Sequence, residues 1–112
     1  MAVATAAALN HAIAVIETLE VDAARMRANL DASNGLILAE AAAFALAEHM
    51  RRDQARELVK AACGEVVRSG RALTDILAGE TDAPVDWDGV GDPVNYLGSA
   101  NDLIDRILAR RG

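Results

Sequence analysis

The stretch DQARELVKAACGEVVRSG, residues 53–70, decides the fold class because its apolar residues recur at the spacing of one helix face. We expect Asp53 to cap the start of this helix and Ser69-Gly70 to end it, since glycine readily closes a helix in the left-handed conformation. The apolar positions follow the i, i+3, i+4, i+7 pattern, and they are Ala55, Leu58, Val59, Ala62, Cys63, Val66 and Val67. The pattern predicts an amphipathic helix that ends at Gly70.

Three further helices are predicted before this one. Residues 2–20 form the first, and its apolar stripe consists of Leu9, Ala12, Ile13, Ile16 and Leu19. Asp22 is the expected N-cap of a second, short helix that ends near Asn34-Gly35. The run GLILAEAAAFALAEHM, residues 35–50, is apolar almost all round, so we expect it to be the most buried helix of the domain.

Downstream of Gly70 the sequence predicts two more helical segments around an irregular stretch. The first is LTDILAG, residues 73–79, with Thr74 as its expected cap. Residues 80–98 are rich in Asp, Gly and Pro and are predicted to be irregular, with Trp87 and Tyr96 pinning them to the helices. The last helix begins at Ser99, which forms a capping-box pattern with Asp102. Its apolar stripe is Leu103, Ile104, Ile107 and Leu108, and its C-terminal cations are Arg106, Arg110 and Arg111.

The predicted fold is therefore all-α, a small helical domain of about five helices. The chain has 112 residues, of which 53% are apolar and 3% aromatic, so the core is expected to consist of aliphatic side chains packed between helices. Neither a strand signal nor an internal repeat is present in the sequence.

Charge and cysteine content exclude several classes of partner. Eleven Lys and Arg residues face seventeen Asp and Glu residues, a formal charge of −6, which argues against a nucleic acid and against an acidic membrane surface. The single cysteine excludes an internal disulfide, so a cytoplasmic location is expected. The apolar N-terminus has no Lys or Arg before Arg25 and is interrupted by polar residues, so it is predicted to be neither a signal peptide nor a membrane span.

Few residues are candidates for chemistry. His11 and His49 lie on different helices without acidic or cysteine neighbours at ligand spacing, so no metal site is predicted. Cys63 lies inside an apolar stripe, where a thiol acts as a small hydrophobe. The pattern D-x-D-G at Asp86 to Gly89 lacks the Glu that a calcium loop requires, so the loop containing Asp82, Asp86, Asp88 and Asp92 is interpreted as a solvated acidic loop.

Glu40 is the one carboxylate in the middle of an apolar helix. A carboxylate in such surroundings is costly unless it is paired. We therefore expect Glu40 to form an ion pair with Arg25 or Arg27, or else to face a cavity or another chain; the ion pair is the favoured alternative.

Several segments resemble a known family. They are Met26 to Asp31 (MRANLD), Gly35-Leu36-Ile37 with Ala39-Glu40, and Asp92-Pro93 with Asn95-Tyr96-Leu97-Gly98. Over about residues 1 to 109 the chain resembles the C-terminal domain of bacterial 3-carboxy-cis,cis-muconate cycloisomerases, in the fumarase, aspartase and adenylosuccinate lyase superfamily. The resemblance implies that residues 1–20 are the end of a central-bundle helix and that residues 21–112 are the C-terminal helical domain. Residues 92–98 would be its closing turn: Pro93 fixes the backbone, Tyr96 and Leu97 pack back, and Gly98 permits a sharp entry to the last helix.

The resemblance also implies a function for the longer enzymes. They are homotetramers that build each active site from three subunits and add a carboxylate reversibly across a double bond, without a metal or organic cofactor. In the cycloisomerase this closes 3-carboxy-cis,cis-muconate to a lactone in the protocatechuate branch of aromatic degradation. The family's catalytic loop contains Ser-Ser, Met-Pro and Lys-x-Asn-Pro, whereas this chain has one lysine, Lys60, and two prolines, Pro84 and Pro93, in other contexts. No catalytic, cofactor-binding or metal-binding residue is therefore predicted.

Two classes of function remain. In the first class, the chain is the C-terminal domain or a fragment of such an isomerase. It is inactive alone, and a small carboxylate substrate is bound only by the full-length enzyme. A related alternative is the equivalent domain of an adenylosuccinate-lyase-like enzyme. The second is a free-standing helical interaction module derived from the same superfamily. The apolar stripe of the first helix distinguishes the two classes, because in the whole enzyme it is buried in the central bundle, whereas this chain alone must cover it by self-association. We expect a homo-oligomer with this helix in the contact.

Overall fold

The computed structural model describes residues 1–110, and these residues are entirely helical or irregular, without strands. The α-helices are α1 (Ala2–Glu17), α2 (Ala23–Asp31), α3 (Ala39–Ala47), α4 (Arg52–Ser69), α5 (Leu73–Glu80), α6 (Trp87–Gly91) and α7 (Ala100–Ala109), with 3-10 turns at Leu36–Leu38 and Pro93–Tyr96. The predicted all-α class is confirmed, although the described residues contain more helices than the expected number of about five. Arg111, expected near the end of the last helix, lies outside the described residues.

The core lies between α3, α4 and α5. α4 packs along α3 on one side and against α5 on the other. The buried side chains are Leu38, Ala42, Leu46, Ala55, Val59, Ala62, Val66, Leu73, Ile76 and Leu77. The expectation that residues 35–50 form the most buried helix is wrong, because α5 buries three of its eight residues and α3 only two of its nine. α3 lies at the surface, so that Phe44 on its outer side is 61% exposed.

The predicted stripe of α4 is largely confirmed. Four of its members are buried and face the core, whereas Val67 is 77% exposed because it lies one position, about 100°, beyond the buried Val66. Gly70 ends the helix as predicted, with φ of 70° and its N–H donating to the carbonyl oxygen of Val66 at 2.8 Å.

Three of the predicted helix caps are wrong. α4 begins at Arg52 after Arg51, and Asp53 forms an ion pair of 3.0 Å with Arg51 instead of capping the helix. α5 begins one residue before Thr74, because the preceding Ala72 has the extended backbone of a cap but no side-chain acceptor. Ser99 does precede α7, but at ψ of 14° it is not extended and its hydroxyl accepts no capping hydrogen bond.

The predicted start of α2 is confirmed, whereas α2 ends at Asp31, before the predicted exit at Asn34-Gly35, and its cap residue Ala32 is right-handed. The carboxylate of Asp22 accepts a 2.8 Å hydrogen bond from the N–H of Arg25 at the start of α2. After α2 the chain turns through Asn34 and Gly35, both left-handed with φ of 48° and 83°. The turn then leads directly into the 3-10 turn that precedes α3.

Residues 80–98 are more ordered than predicted. Asp86 accepts a hydrogen bond from the N–H of Gly89 and caps α6, and Asp92 accepts one from the N–H of Val94 and caps the second 3-10 turn. The half-buried Trp87 packs against the core, as predicted. The hydroxyl of Tyr96 donates to the carbonyl oxygen of Val90 at 3.2 Å, although its ring is half exposed.

The closing turn behaves only in part as expected. Gly98 has φ of 54°, which permits the sharp entry to α7. Leu97 does not pack back on the core: it is 48% exposed and is not among the side chains in contact with the core cluster.

The chain extends well beyond its core. Its radius of gyration is 20.6 Å, compared with about 13 Å for a compact domain of this length. None of α1, α2 and α7 contains a buried residue. Within residues 1–110 no single helix has the length and apolar character needed to cross a membrane; α2 and residues 36–47 meet that test only as a pair bent by 72°.

Candidate functional site

α1 presents the apolar stripe that the sequence predicts, without a cover. The side chains of Leu9, Ile13 and Ile16 are each more than half exposed, and so is Leu19, which lies beyond the end of α1 at Glu17 rather than within the helix predicted over residues 2–20. The helix carries no Lys or Arg and one acidic residue, Glu17, so little charge interrupts the stripe. Contiguous exposed apolar surface of this kind marks an interaction site in a soluble protein.

α7 presents a second apolar stripe. Its four members are again more than half exposed, and they are Leu103, Ile104, Ile107 and Leu108. At about 100° per residue, Asp105 lies on one edge of this stripe, and Arg106 and Arg110 lie on the other. The stripe therefore has an acidic edge and a basic edge.

A groove of about 390 Å³ lies between α3 and α4, on the side away from α5. Its floor contains the row of small side chains Ala39, Ala43 and Ala47, spaced four residues apart on α3, together with Val59 of α4. Its remaining lining residues are Glu40, Phe44, Arg52, Arg56, Lys60 and Cys63.

The two walls of the groove differ in charge. Arg52, Arg56 and Lys60 are spaced four residues apart on α4 and form a cationic row along one wall. Among residues 1–110, neither arginine has a carboxylate within 4.0 Å, and Lys60 reaches Glu57 only at 3.9 Å. Sequence reasoning missed this groove, although the four-residue spacing of the three cations was visible in the sequence.

Glu40 lies on the opposite wall and is exposed. The predicted ion pair with Arg25 or Arg27 is wrong, since Arg27 pairs with Asp31 of its own helix at 3.0 Å. The reason is that α2 lies apart from the core and does not bring its arginines to α3. The alternative, that Glu40 faces a cavity, describes its position in the groove.

The other predicted residues are dispersed. His11 and His49 are exposed on separate parts of the chain. Cys63 is half-buried in the groove, and burial raises the pKa of its thiol, which lowers the fraction of reactive thiolate. Within residues 1–110, no three His, Cys, Asp or Glu side chains converge at metal-binding distance. The carboxylates of Asp86 and Asp92 accept backbone hydrogen bonds instead.

Most of the chain, including the core, the turn at Gly35 and the closing turn, matches one known protein family. The model of the adenylosuccinate lyase C-terminus matches residues 35–107, which include the whole core-forming region and most of α7. The chain belongs to this family. This match confirms the resemblance to the superfamily that includes adenylosuccinate lyase, which was predicted from the sequence.

Within this family, the chain is similar to individual cycloisomerases. Over 109 residues the chain is 39% identical to the 3-carboxy-cis,cis-muconate cycloisomerase of Bradyrhizobium diazoefficiens and 41% identical to that of Pseudomonas aeruginosa. Each match covers 93% of this chain and 24% of the relative. The chain therefore spans about a quarter of the length of the relatives it matches.

A solved structure agrees with these relatives. The crystal structure of β-carboxy-cis,cis-muconate cycloisomerase from Acinetobacter calcoaceticus superimposes with a TM-score of 0.67 at 37% identity. The match covers 86% of this chain and 23% of the solved chain. The chain is thus similar in sequence and in fold to the C-terminal portion of these cycloisomerases. The assignment of residues 1–20 to a central-bundle helix stays a prediction.

Proposed function

We propose that this chain is the C-terminal domain of a 3-carboxy-cis,cis-muconate cycloisomerase, the lactonising isomerase of the protocatechuate branch of aromatic degradation. The observation that carries the proposal is the match of 93% of the chain to cycloisomerases from two bacteria. The assembled enzyme takes a small polycarboxylate substrate and needs neither a metal nor an organic cofactor. We place it in the cytoplasm, in keeping with the single cysteine.

The domain's part in this function is assembly. The family's catalytic loop motifs do not occur in these 112 residues, so the reacting groups belong to other parts of the enzyme. The uncovered stripes of α1 and α7 support this role, because exposed apolar faces of this size gain stability when another helix covers them. The proposed cover of the α1 stripe is a second copy of the protein, so the enzyme is a homo-oligomer through this helix.

A chimera tests the proposal. The C-terminal quarter of the Pseudomonas aeruginosa cycloisomerase is replaced by this chain, and lactone formation from 3-carboxy-cis,cis-muconate is measured. We expect the chimera to assemble and to turn over substrate, whereas the isolated chain shows no turnover. A chimera that folds and assembles but forms no lactone contradicts the proposal, and so does lactone formation by the isolated chain.

The matching family model is named after adenylosuccinate lyase, which makes an equivalent domain of that enzyme the second candidate. The matched control is therefore the same replacement in an adenylosuccinate lyase. Activity of this second chimera, with an inactive cycloisomerase chimera, favours the second candidate. If neither chimera assembles, the free-standing interaction module is the better description.

A further inference from the structure

We propose that the groove between α3 and α4 binds α7 of a second copy of this chain. The contact involves neither α1 nor a catalytic group. It rests on the described residues alone, so its failure would leave the proposed function intact.

The shapes of the two surfaces are complementary. The alanine row of Ala39, Ala43 and Ala47 leaves a shallow channel between Phe44 and α4. Small side chains in such a row allow a second helix to approach closely, with its ridge of larger residues in the channel. The stripe of α7 supplies that ridge, because Leu103, Ile104, Ile107 and Leu108 occupy one face at the same spacing. Docking would also cover Phe44, which is 61% exposed.

The charges beside the two surfaces are complementary as well. The cationic row Arg52, Arg56 and Lys60 can face Asp105, and Glu40 on the opposite wall can face Arg106 and Arg110. A helix can lie in a groove in two directions. Only one direction makes both matches, and the other brings like charges together, so the charges select a single orientation.

The occupant is α7 of another copy because the chain's own α7 is tethered on the wrong side of α3. Tyr96 hydrogen bonds to Val90 and lies beside Ala45 and His49. Ala45 lies about 200° around α3 from Ala43 and Ala47, which line the groove. Only three residues connect Tyr96 to α7, and no residue of the chain's own α7 lines the groove.

Two copies can each bind the α7 helix of the other. Each groove then binds the partner copy's α7, and the same surfaces meet twice around a two-fold axis. Two such contacts bury twice the apolar area that one contact buries, and no new surface is exposed. This contact by itself joins two copies, and the α1 stripe stays available for the contact proposed above.

Cross-linking through Cys63 tests the contact directly, since Cys63 lines the groove and is the only cysteine of the chain. The 112-residue chain with Cys63→Ala and Ile107→Cys is mixed with the unchanged chain and treated with a short bis-maleimide. We expect a covalent heterodimer, identified by its intact mass. The control replaces Ile107→Cys by Asp102→Cys on the outer face of α7, which should reduce the heterodimer about tenfold. Equal yields from both positions, or no heterodimer, overturn the proposal.

A charge exchange tests the orientation. All variants carry Ile13→Asp and Ile16→Asp, so that α1 cannot bring copies together, and circular dichroism verifies their helicity. Arg56→Glu and Asp105→Arg should each weaken the dimer about tenfold, and the two together should recover it, because the attraction is restored with opposite signs. Arg71→Glu, which makes the same charge change outside the groove, should leave the dissociation constant unchanged. Single variants without effect, or a double variant as weak as both singles combined, overturn the proposal.

Discussion

The backbone N–H of Leu73 donates a 2.9 Å hydrogen bond to the carbonyl oxygen of Asn34 and so joins the turn after α2 to the first residue of α5. Leu73 is itself buried in the core. Gly35, which follows Asn34 in the turn, has φ of 83°, and a Cβ at position 35 would lie 3.4 Å from the Cβ of Leu73. The turn that precedes α3 is thereby fixed against the core, and glycine is required in it.

Gly35→Ala should destabilise the chain by about 1–2 kcal/mol, because an L side chain disfavours the left-handed conformation that residue 35 adopts. The measurement is urea unfolding at one fixed protein concentration. The matched control is Gly64→Ala in the interior of α4, where the added Cβ meets only Arg68 at an ordinary 3.5 Å. That variant should gain about 0.5–1 kcal/mol. Equal effects of the two substitutions would contradict the role of the Gly35 turn.

Leu77→Ala should cost about 2–5 kcal/mol, because the side chain is fully buried where α5 packs on α4 and its removal leaves a cavity. The control Leu97→Ala removes the same atoms from a half-exposed site and should change the free energy of unfolding by less than about 0.5 kcal/mol. Thermal or urea unfolding measures both variants. A large loss for Leu97→Ala would mean that the closing turn packs more tightly than described.

Asp86→Ala should loosen α6, because the Asp86 carboxylate accepts the hydrogen bond that starts this helix; caps of this type contribute about 1 kcal/mol. Trp87, the only tryptophan, is the first residue of α6 and reports the change as a red shift of its fluorescence. The control is Asp82→Ala, which removes an exposed carboxylate outside the helices. An unchanged emission spectrum for Asp86→Ala would show that Trp87 is held by packing alone.

Burial raises the pKa of the Cys63 thiol, so its alkylation should be slower than that of a cysteine in an unfolded peptide, and its pH profile should be displaced upward. The neutral thiol is favoured in the folded chain. The folded state therefore loses stability relative to the unfolded state as the pH rises above the unfolded thiol's pKa. Iodoacetamide kinetics between neutral and alkaline pH measure the displacement. A profile shifted downward would instead indicate a thiolate stabilised by the cationic row of the groove.

The sequence predicted the helices well where periodicity was strong. α4 and its buried face followed from the spacing of Ala55, Val59, Ala62 and Val66. The end of α4 at Gly70 and the left-handed turn at Gly35 followed from the conformational freedom of glycine. The predictions failed where tertiary packing decides. The apolar character of residues 35–50 could not show that Phe44 faces outward, because an alanine-rich helix has no strongly marked face.

Caps and side-chain pairs were also difficult to predict. Thr74 and Ser99 have suitable residue types, but capping depends on a backbone conformation that residue type alone does not determine. The pairing of Glu40 failed because it required a contact between α2 and α3 that local sequence does not specify. The groove between α3 and α4 was missed for the same reason, since it exists only once the two helices pack together.

The proposed role in assembly requires that another copy of the protein covers the α1 stripe, and light scattering at micromolar concentration tests this most directly. We predict that the chain is a dimer or larger. Ile13→Asp with Ile16→Asp, which places two charges in the stripe, should lower its mean mass, whereas the matched pair His11→Asp and Thr18→Asp outside the stripe should not. A wild-type chain that is a clean monomer at this concentration would contradict the claim.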